Sequence, residues 1–284
     1  NIVPGFGAGA GAALVSHPGV DKISFTGSPQ TCRFIMRAAA ENITRVTLEL
    51  GGKSPSVVFE DADIDAAVRQ TASGAFFNAG QVCSAATRVV VADAVHDQFV
   101  ERLAARVNSL RLGHPFEAGT TLGPVISRGQ MDRVLGYIEA GVEQKATVAT
   151  GGARSGNRGY FVQPTVFTGV TNDMRVSREE IFGPVLTVLR FRDEEEAVAL
   201  ANGTDYSLAA ALWTQDIDRA HRVGDALNAG TTWINTYGPT DTRLPWGGMG
   251  GNSGFGRDLG RAALDNYTEQ KTTWVSLRAP APVS

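Results

Sequence analysis

Two residues in this chain have the type and the setting to make and break bonds at a carbonyl carbon. Cys83 lies in Gly80-Gln81-Val82-Cys83-Ser84, a loop between a helical segment and an apolar strand. A cysteine thiolate is intrinsically nucleophilic and attacks carbonyl carbon well. A lone cysteine can equally be a buried packing residue, so its neighbours must decide. Glu49 stands 34 positions earlier, in Leu48-Glu49-Leu50-Gly51-Gly52-Lys53. At the carboxyl end of an apolar strand it would face the crevice in which α/β sheets bind ligands. Partial removal from water there would raise its pKa toward the range of a general base. The other reading is a glutamate that caps the strand and pairs with Lys53 or Arg45.

Three further segments could hold a ligand. The loop Gly5-Phe6-Gly7-Ala8-Gly9-Ala10-Gly11 can bring backbone close to a phosphate at a helix N-terminus, although it is not GxGxxG. Gly27-Ser28 precedes the next helix and offers a second such terminus. In Glu179-Glu180-Ile181-Phe182-Gly183-Pro184 a carboxylate could accept hydrogen bonds from sugar hydroxyls while Phe182 packs on a flat ring. Each has a plainer reading, as a tight turn or a solvated helix end. The four histidines, His17, His96, His114 and His221, show no metal-ligand spacing and read as surface or structural.

Elements that would position these residues follow from periodicity and turn chemistry. The sequence predicts a short helix over Ala8–Val15, strands at Lys22–Thr26, Arg45–Leu50 and Val57–Phe59, and a helix from Pro29 to about Ala40. Strands alternating with helices imply a parallel, helix-covered sheet. A helix from Asp63 buries Ile64, Val68, Thr71 and Ala75. After the strand Thr87–Val91 comes the clearest helix, with Val95, Phe99, Leu103, Val107 and Leu110 on one stripe and Asp93 as its expected N-cap. Helices over Gln130–Val142, Glu194–Asn202 and Ile217–Leu227 follow, with strands at Ala146–Ala149, Val162–Phe167, Pro184–Phe191 and Thr231–Asn235. Gly247–Gly256 holds six glycines in ten residues and reads as a long mobile loop. Thr268–Leu277 alternates as a terminal strand.

The bulk composition narrows the class. At 284 residues the chain suits two domains, or one domain and part of another. It is 43% hydrophobic with a net charge of -3, which gives no footprint for nucleic acid or a lipid surface. Two cysteines, Cys32 and Cys83, make a disulfide framework or zinc site an unsupported reading and favour a reducing, cytoplasmic setting. No apolar run approaches a membrane span. The chain opens on Asn1 at a strand end and reads as cut from something longer.

Taken together the motifs resemble those of the aldehyde dehydrogenase superfamily. LELGGKSP around Glu49 is similar to the family's general-base signature, and FFNAGQVCSAATRVVV around Cys83 to its active-site cysteine signature. EEIFGPV is similar to a third signature, and NIVPGFGAGAG with ISFTGS to the cofactor-binding segment. LPWGGMGGNSGFGRDLG and NYTEQKTTWV resemble the late glycine-rich loop and the final inter-subunit strand. The resemblance runs from Asn1 to about Leu277, and six ordered motifs are far more specific than any one of them.

The resemblance implies an α/β fold: part of a Rossmann-like cofactor-binding domain over 1–51, an open α/β catalytic domain over 52–251, and a return segment with an oligomerisation strand over 252–284. It implies oxidation of a small-molecule aldehyde with NAD or NADP, in a homodimer or homotetramer, without nucleic acid, membrane or metal. Cys83 would be the nucleophile and Glu49 the base that activates water. Gly7, Gly27 and Ser28 would lie along the cofactor, Leu50 near the nicotinamide amide, Glu180 at the nicotinamide ribose and Phe182 beside the nicotinamide. The backbone N–H of Cys83 would stabilise an oxyanion. Phe77, Val82, Ser84, Tyr237 and Trp246 would line the aldehyde pocket.

By the same resemblance, the oxyanion asparagine, a cofactor-binding lysine and the acidic residue that selects NAD over NADP belong to a segment before Asn1. Loss of one oxyanion donor costs on the order of a hundredfold in rate, which puts the activity of this piece alone in question. Cys32 stands where the family usually has glycine, and mild local repacking is expected. A coenzyme-A-acylating relative would not need the carboxylate of Glu49, and a non-catalytic relative would not need Cys83. A cysteine hydrolase would need a histidine partner that the sequence does not offer.

Overall fold

The structure is a computed structural model that describes residues 1–277. A helical turn at Gly7–Gly11 continues into α1 (Ala12–Val15) and leads to β1 (Lys22–Thr26), α2 (Pro29–Asn42) and β2 (Arg45–Glu49). There follow β3 (Pro55–Val58), α3 (Ile64–Phe76), β4 (Arg88–Ala92), α4 (Asp93–Asn108), α5 (Arg128–Glu143), β5 (Thr147–Thr150), β6 (Thr165–Thr168) and α6 (Arg175–Arg178). The chain closes with β7 (Val185–Phe191), α7 (Glu194–Ala201), β8 (Ala209–Trp213), α8 (Ile217–Ala226), β9 (Thr231–Ile234), β10 (Gly254–Phe255) and the short α9 (Ala262–Asp265).

Two sheets result. One has the order β1-β2-β10, with β1 and β2 parallel and β10 antiparallel to β2. The other has the order β5-β6-β7-β4-β3-β8-β9 and is parallel throughout except for the β5–β6 pair. β4 and β8 are buried along their whole length. Val89 and Val91 of β4 face a core built with α3, α4 and α5, while Val90 and Ala92 face the opposite core with α7 and α8. Helices on both faces of a parallel sheet produce this doubly buried strand.

Local chemistry starts the helices where expected. Ser28 caps α2 by accepting the Thr31 N–H at 3.2 Å, with Pro29 in the first turn. Asp63 caps α3 through the Ala66 N–H at 2.9 Å. α4 departs from the expectation. β4 runs into it without a linker, so Asp93 is its first residue and not its cap. There the carboxylate sits at the positive end of the helix and takes Arg190 Nη1 at 2.8 Å.

The structure corrects three further expectations. β8, Ala-Ala-Ala-Leu-Trp, is a strand that the sequence pattern does not announce, because alanines favour helix and no alternation marks a strand buried on both faces. The small side chains admit elements close on either side, and Trp213 donates its indole N–H to Ser56 Oγ at 3.0 Å. The glycine-rich Gly247–Gly256 is not a hanging loop. Ser253 is fully buried, donating from Oγ to the Gly51 carbonyl at 2.7 Å and accepting the Ser207 N–H at 2.8 Å. Gly254 carries φ +81°, and a β-carbon on it would fall 2.0 Å from the Leu48 carbonyl oxygen, so only glycine fits where β10 joins β2. Lastly, Thr268–Leu277 forms no strand among the described residues. Alternation alone does not make a strand without a neighbour to take its hydrogen bonds. Residues 278–284, the end of the expected return segment, lie outside the described residues.

Candidate active site

Parallel strands begin at one edge of a sheet, and in the seven-stranded sheet that edge gathers the segments before β3, β4, β7, β8 and β9. Cys83 comes from the segment before β4. Glu49 is the last residue of β2, at the carboxyl end of the three-stranded sheet. The cleft therefore lies between the carboxyl end of one sheet and the amino edge of the other.

β2 delivers Glu49 in register: it pairs with Thr26 on one side and Gly254 on the other. Its carbonyl accepts the Gly27 N–H at 3.0 Å. The carboxylate is buried, 7% exposed, and a β-carbon on Gly247 would lie 2.6 Å from Glu49 Oε1. Glycine at 247 is thus what lets the chain pass over the acid. Burial pushes the Glu49 carboxyl up to about 7, helped by the negative charge of Asp258; the Trp246 indole and the Arg257 guanidinium act against it. A carboxyl with a pKa near neutrality has the proton affinity of a general base.

Two residues past Leu50, the chain touches the backbone of Cys83. A β-carbon on Gly52 would lie 2.2 Å from the Cys83 carbonyl oxygen. Cys83 is half-buried and free. Burial raises its thiol pKa, the charges of Glu49 and Glu180 raise it further, and the backbone N–H groups of Ser84 and Cys83 pull it down. The thiol is therefore protonated at rest and needs a base beside it. The N–H groups are placed to meet negative charge at the sulfur or at an oxygen bonded next to it.

Glu180 enters from the loop after α6. Its Oε1 accepts the Gly52 N–H at 3.0 Å, and a β-carbon on Gly51 would collide with the same carboxylate. Burial raises its pKa, opposed by the Gly52 N–H, Lys53 and Arg133. Phe182 stands at the rim in the left-handed region, φ +58°. Gln130 Nε2 donates to the carbonyls of Ile181 (3.1 Å) and Phe182 (2.7 Å), and Arg133 donates to the Glu180 carbonyl at 2.8 Å. One turn of α5 thus supports this loop.

The remaining cofactor candidates cluster apart from Cys83. Gly7 and the start of α2 border a cavity of about 820 Å³ whose lining is mainly apolar, with Leu14, Ile23, Phe25 and Phe34 among its walls. Neither Cys83 nor Glu49 lines it. Gly7, Gly9 and Gly11 face open space where side chains would otherwise stand. Gly27 follows β1 directly, and a β-carbon there would strike the Phe25 ring. Ser28 spends its hydroxyl on capping α2. The side chain of Leu50 packs with Cys32 and Leu48, while its N–H donates to the Ser253 carbonyl at 3.3 Å.

Of the pocket candidates, Val82 and Ser84 flank Cys83 and Trp246 lies near Glu49. Tyr237 does something different: its hydroxyl donates to the Ser84 carbonyl and its ring fills the space left by Gly74, so it backs the nucleophile loop. Phe77 is 71% exposed. Asp258, Gln81, Lys53 and Ser253 belong to the site although sequence reasoning does not single them out. Lys53 and Ser253 are polar residues inside apolar or glycine-rich runs, and that pattern is the signal that could find them. Among the described residues no helix is long and apolar enough to cross a membrane.

Comparison with known proteins gives a consistent picture. Residues 1–273 match the model of the aldehyde dehydrogenase family. An aldehyde dehydrogenase of Emericella nidulans is 52% identical over 273 residues, 96% of this chain and 55% of that protein. A betaine aldehyde dehydrogenase of Brucella anthropi is 48% identical, over 98% of this chain and 57% of its own length. An aldehyde dehydrogenase of Bacillus cereus, solved in complex with NAD+, superposes with a TM-score of 0.95 at 50% identity, covering 97% of this chain and 56% of that one. The chain spans about half the length of the curated relatives it matches.

Proposed function

The chain belongs to the aldehyde dehydrogenase family, and we propose that the protein carrying it oxidises an aldehyde to a carboxylic acid, with Cys83 as nucleophile and Glu49 as base. The observation that carries this reading is a carboxyl with a pKa near 7 at the end of a strand whose next turn rests on the Cys83 backbone. Glu49 takes the thiol proton, and the sulfur attacks the aldehyde carbon to give a thiohemiacetal whose oxygen faces the Cys83 N–H. When bound, the dinucleotide supplies a hydride acceptor. Loss of the hydride leaves a thioester on Cys83. Glu49 passes the thiol proton to solvent and, as carboxylate again, removes a proton from water; the hydroxide adds to the acyl carbon, and the sulfur departs as thiolate with release of the acid.

The residues present fit a dinucleotide. Two glycines, Gly7 and Gly11, open onto the cavity beside the α2 N-terminus, which favours an anionic group. Gly7, Gly27 and Ser28 would hold the phosphate end, and Leu50, Glu180 and Phe182 the nicotinamide end. NAD is the reading supported by the NAD+ complex of the Bacillus cereus relative; NADP is the alternative. Residues 1–51 with β10 would form the cofactor side, 52–251 the catalytic side, and the segment after β10 would return to a second copy in a homodimer or homotetramer. Two free cysteines favour a cytoplasmic setting. The relatives are named for aldehydes in general and for betaine aldehyde in particular, so the substrate class they support in common is an aldehyde.

The test is an assay of the full-length protein with a panel of aldehydes and each dinucleotide, following formation of reduced cofactor. Cys83→Ala is expected to abolish turnover and to leave dinucleotide binding in place. Steady turnover by that variant would remove Cys83 as the nucleophile.

A further inference from the structure

The turn before Cys83 is wound in a left-handed sense that one of its three residues disfavours. Asn78 (φ 51°, ψ 36°), Ala79 (φ 55°, ψ 35°) and Gly80 (φ 70°) are consecutive left-handed residues between the end of α3 and the nucleophile. Glycine is at home there and asparagine tolerates it, but the Ala79 β-carbon is crowded against its own backbone. Ala79 is also buried, 3% exposed, so solvent does not compensate it. Gly80 has no room for a side chain, because a β-carbon on it would lie 2.1 Å from the Gly183 carbonyl oxygen. A left-handed run of this kind persists only where its surroundings over-determine it.

A backbone bond from the Gln81 N–H to the Asn78 carbonyl at 3.1 Å closes the turn, and two side chains add to that constraint. Asn78 Nδ2 donates to the Gln81 carbonyl at 3.1 Å, and Gln81 Nε2 donates back to the Asn78 carbonyl at 3.0 Å. Gln81 Oε1 accepts the Ile126 N–H at 2.8 Å. Ile126 stands just before α5, the helix whose Gln130 and Arg133 hold the carbonyls of Glu180, Ile181 and Phe182.

We propose that the reciprocal Asn78–Gln81 clasp is a positioning device for Cys83, holding the left-handed turn that aims the thiol into the cleft and tying it to the segment that supports Glu180 and Phe182. This deepens the reading of Cys83 as nucleophile and rests on it. The clasp touches neither substrate nor reacting atoms. α3 and β4 are each anchored by their own buried faces, so the fold does not require the turn; the direction of the Cys83 side chain does. Released from the clasp, Ala79 relaxes toward right-handed or extended backbone four residues before the sulfur.

The experiment uses the full-length protein and reads the rate of Cys83 alkylation by iodoacetamide, its pH profile, kcat, and the Kd for NAD. Gln81→Ala is expected to slow alkylation and kcat by on the order of ten- to a hundredfold, with the NAD Kd changed less than about threefold. Asn78→Ala, at an exposed position, removes the other half of the clasp and is expected to act in the same direction, with a thermal melt to show that the variant is folded. Ala79→Gly placed in the Gln81→Ala chain removes the crowded β-carbon and is expected to recover at least about threefold of the lost alkylation rate. Unchanged alkylation in both single variants, or no recovery in the double variant, overturns the proposal. Turnover retained by Cys83→Ala would instead remove the reading beneath it, and the effect of the clasp on alkylation would still stand or fall by its own measurement.

Discussion

Gly52 lies so close under Cys83 that a β-carbon on it would sit 2.2 Å from the Cys83 carbonyl oxygen. The same residue donates its N–H to Glu180 at 3.0 Å. One glycine therefore joins three segments: the strand that carries the candidate base, the loop that carries the candidate nucleophile, and the loop of the ribose candidate. Gly52→Ala must displace backbone, since a carbonyl cannot rotate away as a flexible side chain can. Turnover is expected to fall on the order of a hundredfold, as for a reacting group misplaced by about 1 Å. Steady-state kinetics of the variant beside a thermal melt would separate this from unfolding.

Glu49 links activity to pH. With its pKa raised to about 7, the basic form accumulates above neutrality, so thioester hydrolysis should rise through pH 7 and level off above it. Glu49→Gln is expected to lose that limb while keeping a burst of reduced cofactor. Complete loss of the burst would shift the residue's main role to deprotonating the thiol.

The same residue has a stability signature of opposite sense. A carboxyl whose folded pKa is raised favours the folded state fully below its unfolded pKa near 4.5, and that advantage is lost as pH rises through 7. Above 7 the buried charge costs roughly 3 kcal/mol. Glu49→Gln should therefore melt higher than the parent at pH 8 and at about the same temperature at pH 4. Parallel melting curves at both pH values would contradict this.

Lys53 is 1% exposed and its Nζ has no hydrogen-bond partner among the described residues. Burial, with the Arg88 charge acting in the same direction and Glu180 and Glu179 against it, lowers its pKa to about 7. Lys53→Met removes a buried amine that makes no hydrogen bond, and is expected to raise stability by roughly 1–3 kcal/mol near pH 7. It also removes a counter-charge from Glu180, so the KM for the dinucleotide should rise. Denaturant unfolding and cofactor titration on one preparation measure both.

Ser253 ties the late glycine-rich segment to the Glu49 strand through Gly51 and to the β8 entry through Ser207. Ser253→Ala leaves the Ser207 N–H and the Gly51 carbonyl unpaired in a buried place. A loss of about 1–3 kcal/mol in unfolding free energy is expected, with a parallel loss of activity as Gly247 lifts off the Glu49 carboxylate.

Much of the molecule is legible from residue type and order. Strand and helix placement follows from apolar spacing at β1, α2, β4 and α4, and from caps such as Ser28 and Asp63. Cys83 and Glu49 stand out because a thiol and a carboxyl interrupt apolar runs next to glycine turns. β8 is hidden because its alanines carry no period. The role of the Gly247–Gly256 segment is hidden because glycine content reports freedom and not the contacts that remove it. Asp93 falls one residue inside α4 and not at its cap because no linker separates β4 from the helix.

Local sequence determined which residues could do chemistry and which elements would carry them, since propensity, capping and side-chain reactivity are properties of a few neighbouring residues. Only the tertiary structure decided that Glu49 is desolvated beside Asp258, that Gly52 rests on Cys83, and that Asn78 and Gln81 clasp a left-handed turn. Those facts depend on approach between segments distant in the chain, and burial, charge proximity and steric fit exist only once the two sheets close on one another.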